Sequence, residues 1–513
     1  GSAVSLGERE AIRRRGNCRA RTRENDVRMA RLCGTRLQNG WFTFSGPKKY
    51  TRMSPMFVAR KRQETKTEEQ LSRSSAFVGS AVSLDVNPVT DKSEDNSPRL
   101  ATNIKQPMPV PEAGIERSSE IMETGRLFRY GGVTANSSNA DQVLDDVSLT
   151  EEAFARTTGH KYCVGLNSCG SAIFLALYAV LEKEKERLRT AGGDGPIKVL
   201  SNAFTFAAVP SAIVHAGCEP VYVNATDQYV IDCEDFERKA VASGAKIVIV
   251  SHMRGRLCDM TRVSEICKKH DITLIEDCAH SLGCSWNGVT SGASKPHGTI
   301  AACFSTQSNK MINSGEGGFL VTDDDEVATR AILAAGSYEY LYKSHSACPR
   351  DHSLFESLKH ETPNFSLRMH QVTAAMIYPQ IPLLEGRYAR HRHNYDIVEK
   401  RLNEISSIRV PAQLEGAIGV GDSIQFNLKG RNWDQAHAFI GECAKRGVPM
   451  EIFGAHDNAR NFKNWQFALP PKDCEPTYGI IEFACDLRLP IHLTEQEVHT
   501  ICDVVHYSLE ATA

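Results

Sequence analysis

The sequence predicts an α/β protein in which a mostly parallel sheet lies between helices and is followed by a smaller C-terminal α+β domain. Apolar runs of strand length alternate with helical segments between residues 160 and 325. After residue 325 the pattern becomes helical, and a last unit from about residue 408 combines strand and helix signals. Because 513 residues exceed one ordinary domain, we expect a large domain at 116–385 and a small one at 386–513.

The first 115 residues differ in composition from the rest. Lys and Arg far outnumber the acids up to residue 75, and Ser, Asn, Asp and Pro dominate from 72 to 111. Such a composition buries too little apolar area to offset the entropy of ordering, so residues 1–115 are predicted to be a disordered extension. An organelle-targeting leader is the alternative, although Glu8, Glu10, Glu24 and Asp26 count against it.

Composition excludes several classes of function. A net charge of -2 offers no global attraction to nucleic acid or to a membrane surface, and no apolar run is long enough to cross a bilayer. The 16 cysteines form no C-x-x-C pair and show no zinc-ligand spacing, so we expect no metal site. Their placement in apolar segments favours a reducing, intracellular and cytoplasmic location, with organelle targeting as the alternative.

The alternating units run in order along the large domain. A strand at 162–166 leads through a short polar turn into a long apolar helix at 172–188. Strand-like runs recur at 197–201, 220–223, 246–251 and 273–276, and helical segments lie between them at 207–216, 235–243 and 261–270. Ligands of such sheets collect at the carboxyl ends of the strands, so the residues that follow each strand are the candidates for chemistry.

Two of these strand ends carry residues suited to a flat, phosphorylated ligand. Gly170 and Ser171 open the long helix, where free backbone N–H groups and the helix dipole favour a phosphate; a plain helix cap is the alternative. Phe204 and Phe206 follow the next strand, and one of these rings is suited to stack on a flat ligand, whereas core packing is the more common fate of a phenylalanine.

Two further strand ends carry ionisable groups. Asp277 lies in the segment Glu276-Asp277-Cys278-Ala279-His280, where a partly desolvated acid needs a cation such as a protonated ring nitrogen; a cap or an internal salt bridge is the alternative. Ser305 and Lys310 belong to a polar, glycine-rich loop between two apolar runs. Desolvation of a lysine there lowers its pKa and frees the amine to attack an aldehyde, while a solvated surface charge is the alternative.

Together these four features predict a pyridoxal-phosphate site. They supply, in chain order, a phosphate cradle, a ring stacker, an acidic partner for the pyridinium nitrogen and a Schiff-base lysine. The acid keeps the ring nitrogen protonated, which keeps the ring an electron sink. No single motif is specific, but four at one edge of one sheet support each other.

From about residue 115 to the C-terminus the sequence resembles the DegT/DnrJ/EryC1/StrS family of sugar aminotransferases, which belong to the fold-type I pyridoxal-phosphate enzymes. The matching segments are Gly125-Arg126-Leu127-Phe128-Arg129-Tyr130, Asn167-Ser168-Cys169-Gly170-Ser171-Ala172, Phe204-Thr205-Phe206, His252 with Gly255 and Asp259-Met260, Glu276 to His280, Phe304-Ser305 with Lys310 and Gly315-Glu316-Gly317-Gly318, Asn364-Phe365, Arg368-Met369, Ala374-Ala375 and Leu489-Pro490-Ile491.

The resemblance implies a role for each cofactor residue. Lys310 would hold the cofactor covalently, Asp277 would pair with the ring nitrogen, and Phe206 would stack on the ring. The resemblance assigns Gly170, Ser171 and Ser305 to the phosphate, and His280 belongs to the matched cofactor segment. Asn364 matches an asparagine that reaches the phosphate from the neighbouring subunit, which implies a homodimer with shared active sites.

The chain departs from the family pattern in three places. Cys169 replaces the usual small residue of the phosphate turn, and Arg254 replaces an aromatic residue. The segment from Thr306 to Asn309 is more polar than the usual aromatic and proline-containing form. We assign Arg254, Gln307, Glu316 and Arg368 to substrate binding, and Arg254 either recognises a carboxylate or phosphate or is a surface charge.

The function that the resemblance implies is transfer of an amino group from glutamate or glutamine to a keto sugar, nucleotide-linked or free, or to a related keto compound. One alternative is a pyridoxal-phosphate lyase or dehydratase on the same fold; the relatives that catalyse dehydration replace the lysine by histidine, whereas Lys310 is retained. The other alternative is a catalytically inactive regulatory relative, since fold alone does not prove activity.

Overall fold

The computed structural model describes residues 97–130, 145–192, 195–346, 349, 351–468 and 471–513, all within one compact unit at Ser93–Ala513. The strands are β1 Tyr162–Leu166, β2 Lys198–Asn202, β3 Glu219–Val223, β4 Ile247–Ser251, β5 Thr273–Asp277, β6 Ser285–Trp286, β7 Val289–Thr290, β8 Thr299–Ser305, β9 Gly318–Thr322, β10 Ile408–Arg409, β11 Ala417–Ile418, β12 Ser423–Leu428, β13 Glu451–Ile452 and β14 Ala484–Arg488. The helices are α1 Glu112–Thr124, α2 Asp146–Thr158, α3 Cys169–Lys183, α4 Lys185–Gly192, α5 Ala208–His215, α6 Cys233–Ser243, α7 Met260–His270, α8 Asp325–Ala335, α9 Ser353–Leu358, α10 Gln371–Ile377, α11 Leu384–Asn403, α12 Trp433–Lys445, α13 Glu475–Ile481 and α14 Glu495–Ala511. Among the described helices, none combines the length and apolar character needed to cross a bilayer.

The central sheet has seven strands in the order β1-β9-β8-β5-β4-β2-β3. Strands β8, β5, β4, β2 and β3 pair in parallel, and β9 runs antiparallel to both of its neighbours. Helices cover both faces: in β4, Val248 and Val250 join one hydrophobic core, while Ile247 and Ile249 join the other. This arrangement explains why its strands are continuous apolar runs and confirms the predicted α/β fold.

Helix α3 starts beside the carboxyl edge of this sheet. Ser168 is its N-cap and accepts a hydrogen bond from Ser171 N at 3.0 Å, which satisfies one free donor of the first turn. Strand β9 passes very close to this end of the helix, because a Cβ atom added at Gly318 would lie 2.5 Å from Cys169 N. The glycine therefore lets β9 reach the sheet beside the helix start.

The small domain is built on an antiparallel four-stranded sheet in the order β10-β12-β14-β13, with its own hydrophobic core. Helix α11 joins the two cores, because Leu384 packs in the large one and Val398 and Leu402 pack in the small one. Strand β11 pairs with β6 of the large domain, with Ala417 opposite Trp286. These connections hold the small domain over the carboxyl edge of the central sheet.

The segment before α1 packs against the small domain. Leu100 and Ile104 are buried in the small-domain core, and Leu100 N donates to Arg446 O at 2.9 Å. The prediction of disorder is therefore wrong for residues 97–115, while residues 1–96 lie outside the described residues. Composition concealed this order, because two apolar side chains among prolines and polar residues are enough to anchor the segment.

Candidate active site

A cavity of 690 Å³ lies at the carboxyl edge of the central sheet and is closed by residues of the small domain. The loops that follow β1, β2, β4, β5 and β8 all reach it. The residues around it include Ser168, Cys169, Gly170, Phe206, Arg254, Asp277, His280, Ser305, Gln307, Lys310, Glu316, Arg460, Asp486 and Arg488. The cavity therefore collects residues from separate stretches of both domains.

Lys310 places its amino group in this cavity. Its loop is tied at both ends, since Thr306 N donates to Gly317 O at 3.0 Å and Ser314 N donates to Thr306 O at 2.9 Å. Burial lowers the pKa of Lys310 to about 7, and the charge of Arg254 acts in the same direction. A large fraction of the amine is therefore neutral and nucleophilic near pH 7. Lys310 is thus not a solvated surface charge.

His280 lies against Lys310, with its Nε2 atom 2.8 Å from the Lys310 Nζ atom. Burial, followed by the charges of Lys310 and Arg254, holds the pKa of His280 well below its ordinary value. The imidazole is therefore neutral and accepts a hydrogen bond from the amino group of Lys310. This contact fixes where the amino group points.

Asp277 ends β5 and is 6% exposed. Ser251 Oγ donates to Asp277 Oδ2 at 2.8 Å, and Ala279 N donates to Oδ1 at 3.1 Å. Within the described part of the chain, Asp277 forms no salt bridge. A buried carboxylate held only by neutral donors is suited to a cation from a ligand, which is the role predicted for it.

The start of α3 and the end of β8 together form an anion cradle. Ser171 Oγ donates to Asn167 Oδ1 at 2.7 Å, Ser168 Oγ donates to Ser171 Oγ at 3.0 Å, and Ser305 Oγ accepts from Gln307 N at 3.3 Å. These hydroxyls surround the positive end of a 15-residue helix. Ser168 and Gly170 line both the cavity and an adjoining groove, whereas Ser171 lines the groove alone.

The two phenylalanines after β2 have different environments. Phe204 is buried and packs against Tyr229 and Phe453. Phe206 is 45% exposed and lines the cavity. The sequence alone did not distinguish the two rings, and the structure leaves only Phe206 free to stack on a ligand.

These groups fit pyridoxal phosphate. The cradle at the start of α3 matches a phosphate, the open face of Phe206 matches an aromatic ring, the unpaired Asp277 matches a protonated ring nitrogen, and the neutral amine of Lys310 matches an aldehyde. Together these side chains suit a ligand that is anionic, aromatic and an aldehyde. When bound, such a cofactor supplies an electron sink for a carbanion at the substrate carbon.

The structure brings three of the four predicted substrate residues to the cavity: Arg254, Gln307 and Glu316. Arg368 does not line it, because its guanidinium donates to Gly336 O at 2.8 Å and lies 5.2 Å from the centre of the Phe128 ring. Arg254 is buried and paired with Asp486, so it is not a surface charge.

Asn364 lies outside the cavity of its own chain. Its side chain is exposed at the surface, and Oδ1 accepts a hydrogen bond from Ser366 N at 2.8 Å. A contribution to the site of a neighbouring subunit therefore stays a prediction.

Sequence reasoning missed the residues that the small domain supplies. Arg460, Arg488 and Asp486 line the cavity, as do Ile104 and Lys105 from the segment before α1. These residues lie in stretches without a local chemical signature, and only the packing of the small domain brings them to Lys310. Ser168 of the large domain also lines the cavity and was not among the predicted site residues. Unlike the others it has a local signal, since a serine before a helical run is a recognisable N-cap.

Comparison with known proteins gives the same picture as the geometry. The family model described as the DegT/DnrJ/EryC1/StrS aminotransferase family matches residues 134–506. An uncharacterized protein of Methanocaldococcus jannaschii is 34% identical over 183 residues, 35% of this chain and 43% of that protein. A putative L-glutamine:3-amino-2,3-dideoxy-scyllo-inosose aminotransferase of Streptoalloteichus tenebrarius is 26% identical over 295 residues, 57% of this chain and 62% of that protein. The matched part thus spans less than two thirds of both relatives.

The fold also matches solved structures. The crystal structure of 3-amino-5-hydroxybenzoic acid synthase superposes with a TM-score of 0.64 at 20% sequence identity, covering 81% of this chain and all of that chain. At this identity the likeness establishes the fold, and the function has to be argued from the site.

Proposed function

The chain belongs to the DegT/DnrJ/EryC1/StrS aminotransferase family, whose members are pyridoxal-phosphate-dependent sugar aminotransferases, and from this premise we propose its reaction. It transfers an amino group from glutamate or glutamine to a keto sugar, nucleotide-linked or free, or to a related keto compound. The observation that carries the proposal is the neutral amine of Lys310, held in a cavity that also contains an unpaired acid, an open aromatic face and an anion cradle.

Lys310 has two tasks in this proposal. Its neutral amine would hold the cofactor through the aldehyde group, and the same amino group, when free, would move the proton at the reacting carbon of the substrate. A group with a pKa of about 7 gives and takes a proton with little cost near neutral pH. Such proton transfer contributes roughly 10²–10⁴-fold to the rate.

The neighbours of Lys310 orient the reactants. His280 accepts a hydrogen bond from the Lys310 amino group and keeps that group directed into the cavity. Asp277 would face the ring nitrogen of the cofactor, where a buried carboxylate finds a cationic partner. Ser251 fixes the carboxylate of Asp277 through its hydroxyl.

A homodimer with shared sites is part of the proposal. Asn364 lies near an exposed apolar surface, because Arg368, four residues on, stacks on Phe128, which is 44% exposed. Tyr338 and Tyr340, which follow Gly336, are also exposed. These exposed aromatic side chains, together with the closeness of Asn364 to Gly336, support a subunit interface beside Asn364.

An absorbance titration tests the proposed function. Purified protein is mixed with pyridoxal phosphate, and the visible band of the lysine-bound cofactor is followed before and after glutamate or glutamine is added. We expect the band to form and then to convert to that of the amino form of the cofactor. Lys310→Ala should keep the fold and lose both changes. Normal turnover in Lys310→Ala would refute the role of Lys310. No band in the wild type would refute the proposal and favour a non-catalytic relative.

A further inference from the structure

Two arginines of the cavity carry buried N–H groups that have no acceptor among the described residues. These groups are the Nε atoms of Arg254 and Arg460. A buried donor without an acceptor costs stability, and native proteins contain few of them. The Nε atom of Arg256 also has no acceptor among the described residues, but Arg256 does not line the cavity. Arg254 and Arg460 do line it, so a bound ligand can supply their missing acceptors.

The backbone places Arg254 close to the reacting amine. Arg254 lies in the turn Met253–Gly255 after β4, with a φ angle of 57°, and is 6% exposed. A non-glycine residue in this region is strained and persists where the surroundings enforce the conformation. The turn packs on His280, since a Cβ atom added at Gly255 would lie 2.9 Å from His280 O. His280 in turn contacts Lys310.

Acidic partners orient the two guanidinium groups and leave part of each unused. Nη2 of Arg254 pairs with Asp486, which is itself buried. Nη1 of Arg460 donates to Glu451 Oε2 at 3.0 Å, and the Arg460 guanidinium lies 5.7 Å from the centre of the Phe206 ring. Each arginine is therefore held by one edge, while its Nε–H remains free.

The cavity favours an anion over a neutral acceptor. Burial lowers the pKa of Arg460, and the charge of Arg254 acts in the same direction, as expected for two cations that line one cavity, while Asp486 and Glu451 act against it. Arg488, a third cation of the cavity wall, acts on Arg460 in the same direction as Arg254. An anion held by Arg254 and Arg460 would relieve the repulsion between these cations, whereas a hydroxyl group would satisfy the N–H groups alone.

We propose that Arg254 and Arg460 form a carboxylate-binding subsite, so that a substrate of this enzyme carries a carboxylate near its reacting carbon. The planar guanidinium matches the geometry of a carboxylate. It also suits a phosphate, so binding of a nucleoside diphosphate is one of the outcomes that the test includes. The inference rests on the proposed function. A carboxylate in this site has two sources, the amino donor or an acidic keto acceptor, and the test distinguishes them.

The first measurement is a calorimetric titration of the holoenzyme with maleate and with its neutral counterpart maleamide. We expect the wild type to bind maleate at least tenfold more tightly than maleamide, and Arg254→Gln and Arg460→Gln each to weaken maleate binding at least tenfold. Arg256→Gln is the matched control: Arg256 is buried, donates to Pro411 O at 2.7 Å and does not line the cavity. Equal binding of maleate by all variants, or no binding by the wild type, would overturn the proposal.

The second measurement separates the two sources. The cofactor absorbance change is followed in single-turnover reactions, first with glutamate and then with an acidic keto sugar and its carboxyl-reduced form as acceptors. A tenfold rise in the half-saturating glutamate concentration in Arg254→Gln assigns the subsite to the donor. Loss of a wild-type preference for the acidic acceptor assigns it to the acceptor. If neither changes, or if only binding of a nucleoside diphosphate weakens, the proposal is wrong.

Two checks keep these results interpretable. Arg254→Gln leaves Asp486 buried without its partner, so the double variant Arg254→Gln/Asp486→Asn, which removes both charges, is measured beside it. If wild-type protein forms no cofactor band, the proposed function fails. The maleate titration of the protein still decides whether Arg254 and Arg460 bind a carboxylate.

Discussion

Capture of the cofactor by Lys310 should reach its full rate at an unusually low pH. The perturbation is the pH of a solution of cofactor-free protein, and the reacting species is the neutral amine. An ordinary lysine with a pKa of 10.5 has roughly one neutral amine in 3000 at pH 7, whereas a pKa of about 7 leaves about half neutral. The structure therefore predicts an advantage of about a thousandfold at pH 7.

The assay is a stopped-flow measurement of the visible band after mixing with pyridoxal phosphate between pH 5 and pH 10, with Lys310→Ala as the control. We expect the rate to rise about tenfold per pH unit below 6, to reach half its maximum near 7 and to level off above 8. A rate that continues to rise tenfold per unit up to pH 9 would refute the claim that burial and Arg254 lower this pKa.

The same shift predicts the direction of a stability change. The folded chain binds fewer protons than the unfolded chain between the folded pKa of about 7 and the unfolded value of 10.5. The cost of burying Lys310 is therefore full below pH 7 and declines as pH rises through this window. Relative to Lys310→Met, the wild type should gain at most about 1.4 kcal/mol of unfolding free energy per pH unit there, as measured by urea unfolding of cofactor-free protein. No change with pH in this difference would contradict the assignment.

Three further substitutions test the rest of the site. Asp277→Asn keeps the shape of the side chain but removes its charge, so cofactor affinity, measured by absorbance titration, should fall roughly 10- to 100-fold. Phe206→Leu should weaken cofactor binding about two- to tenfold without loss of stability, because this ring is 45% exposed, whereas the buried Phe204→Leu should lower the thermal unfolding temperature. Ser168→Ala removes the cap of α3 and should lower the free energy of unfolding by about 1 kcal/mol. It should also reduce the rise in thermal unfolding temperature that inorganic phosphate causes in the wild type.

Each of these has a contrary result that would exclude the assigned role. Wild-type cofactor affinity in Asp277→Asn would exclude the ring-nitrogen contact. Equal losses of stability in Phe206→Leu and Phe204→Leu would mean that both rings are structural. A Ser168→Ala variant that loses stability but keeps its response to phosphate would mean that Ser168 is only a cap.

The sequence alone predicted the α/β fold and several of the residues that the structure gathers around one cavity, and the reason is local. A strand buried on both faces must be a continuous apolar run, as in β4, and the residue after it must lie at the carboxyl edge of the sheet. Asp277 and Ser305 were predicted because they end such runs, and Lys310 was predicted because it lies in the loop after β8. Gly170 was found in the same way, at the turn between a strand and a long apolar helix.

Features that depend on distant contacts were not accessible to this reasoning. The order of residues 97–115 depends on two apolar side chains that meet a core whose other members lie between Tyr395 and Leu509. The choice between Phe204 and Phe206 depends on which ring meets Phe453 of the small domain. Neither partner is marked by any periodicity in its own segment.

The sequence by itself thus determined the α/β fold, the ligand-binding edge of the sheet and the class of cofactor. Apolar strand runs and the residues that follow them are local features of the chain. Only the tertiary structure decided the protonation state of Lys310 and which charged side chains share its cavity. Burial makes Lys310 a neutral amine, and the packing of the small domain brings Arg460 into the same cavity as Arg254. Desolvation and the convergence of charges arise only when separate segments pack together, and no local pattern records them.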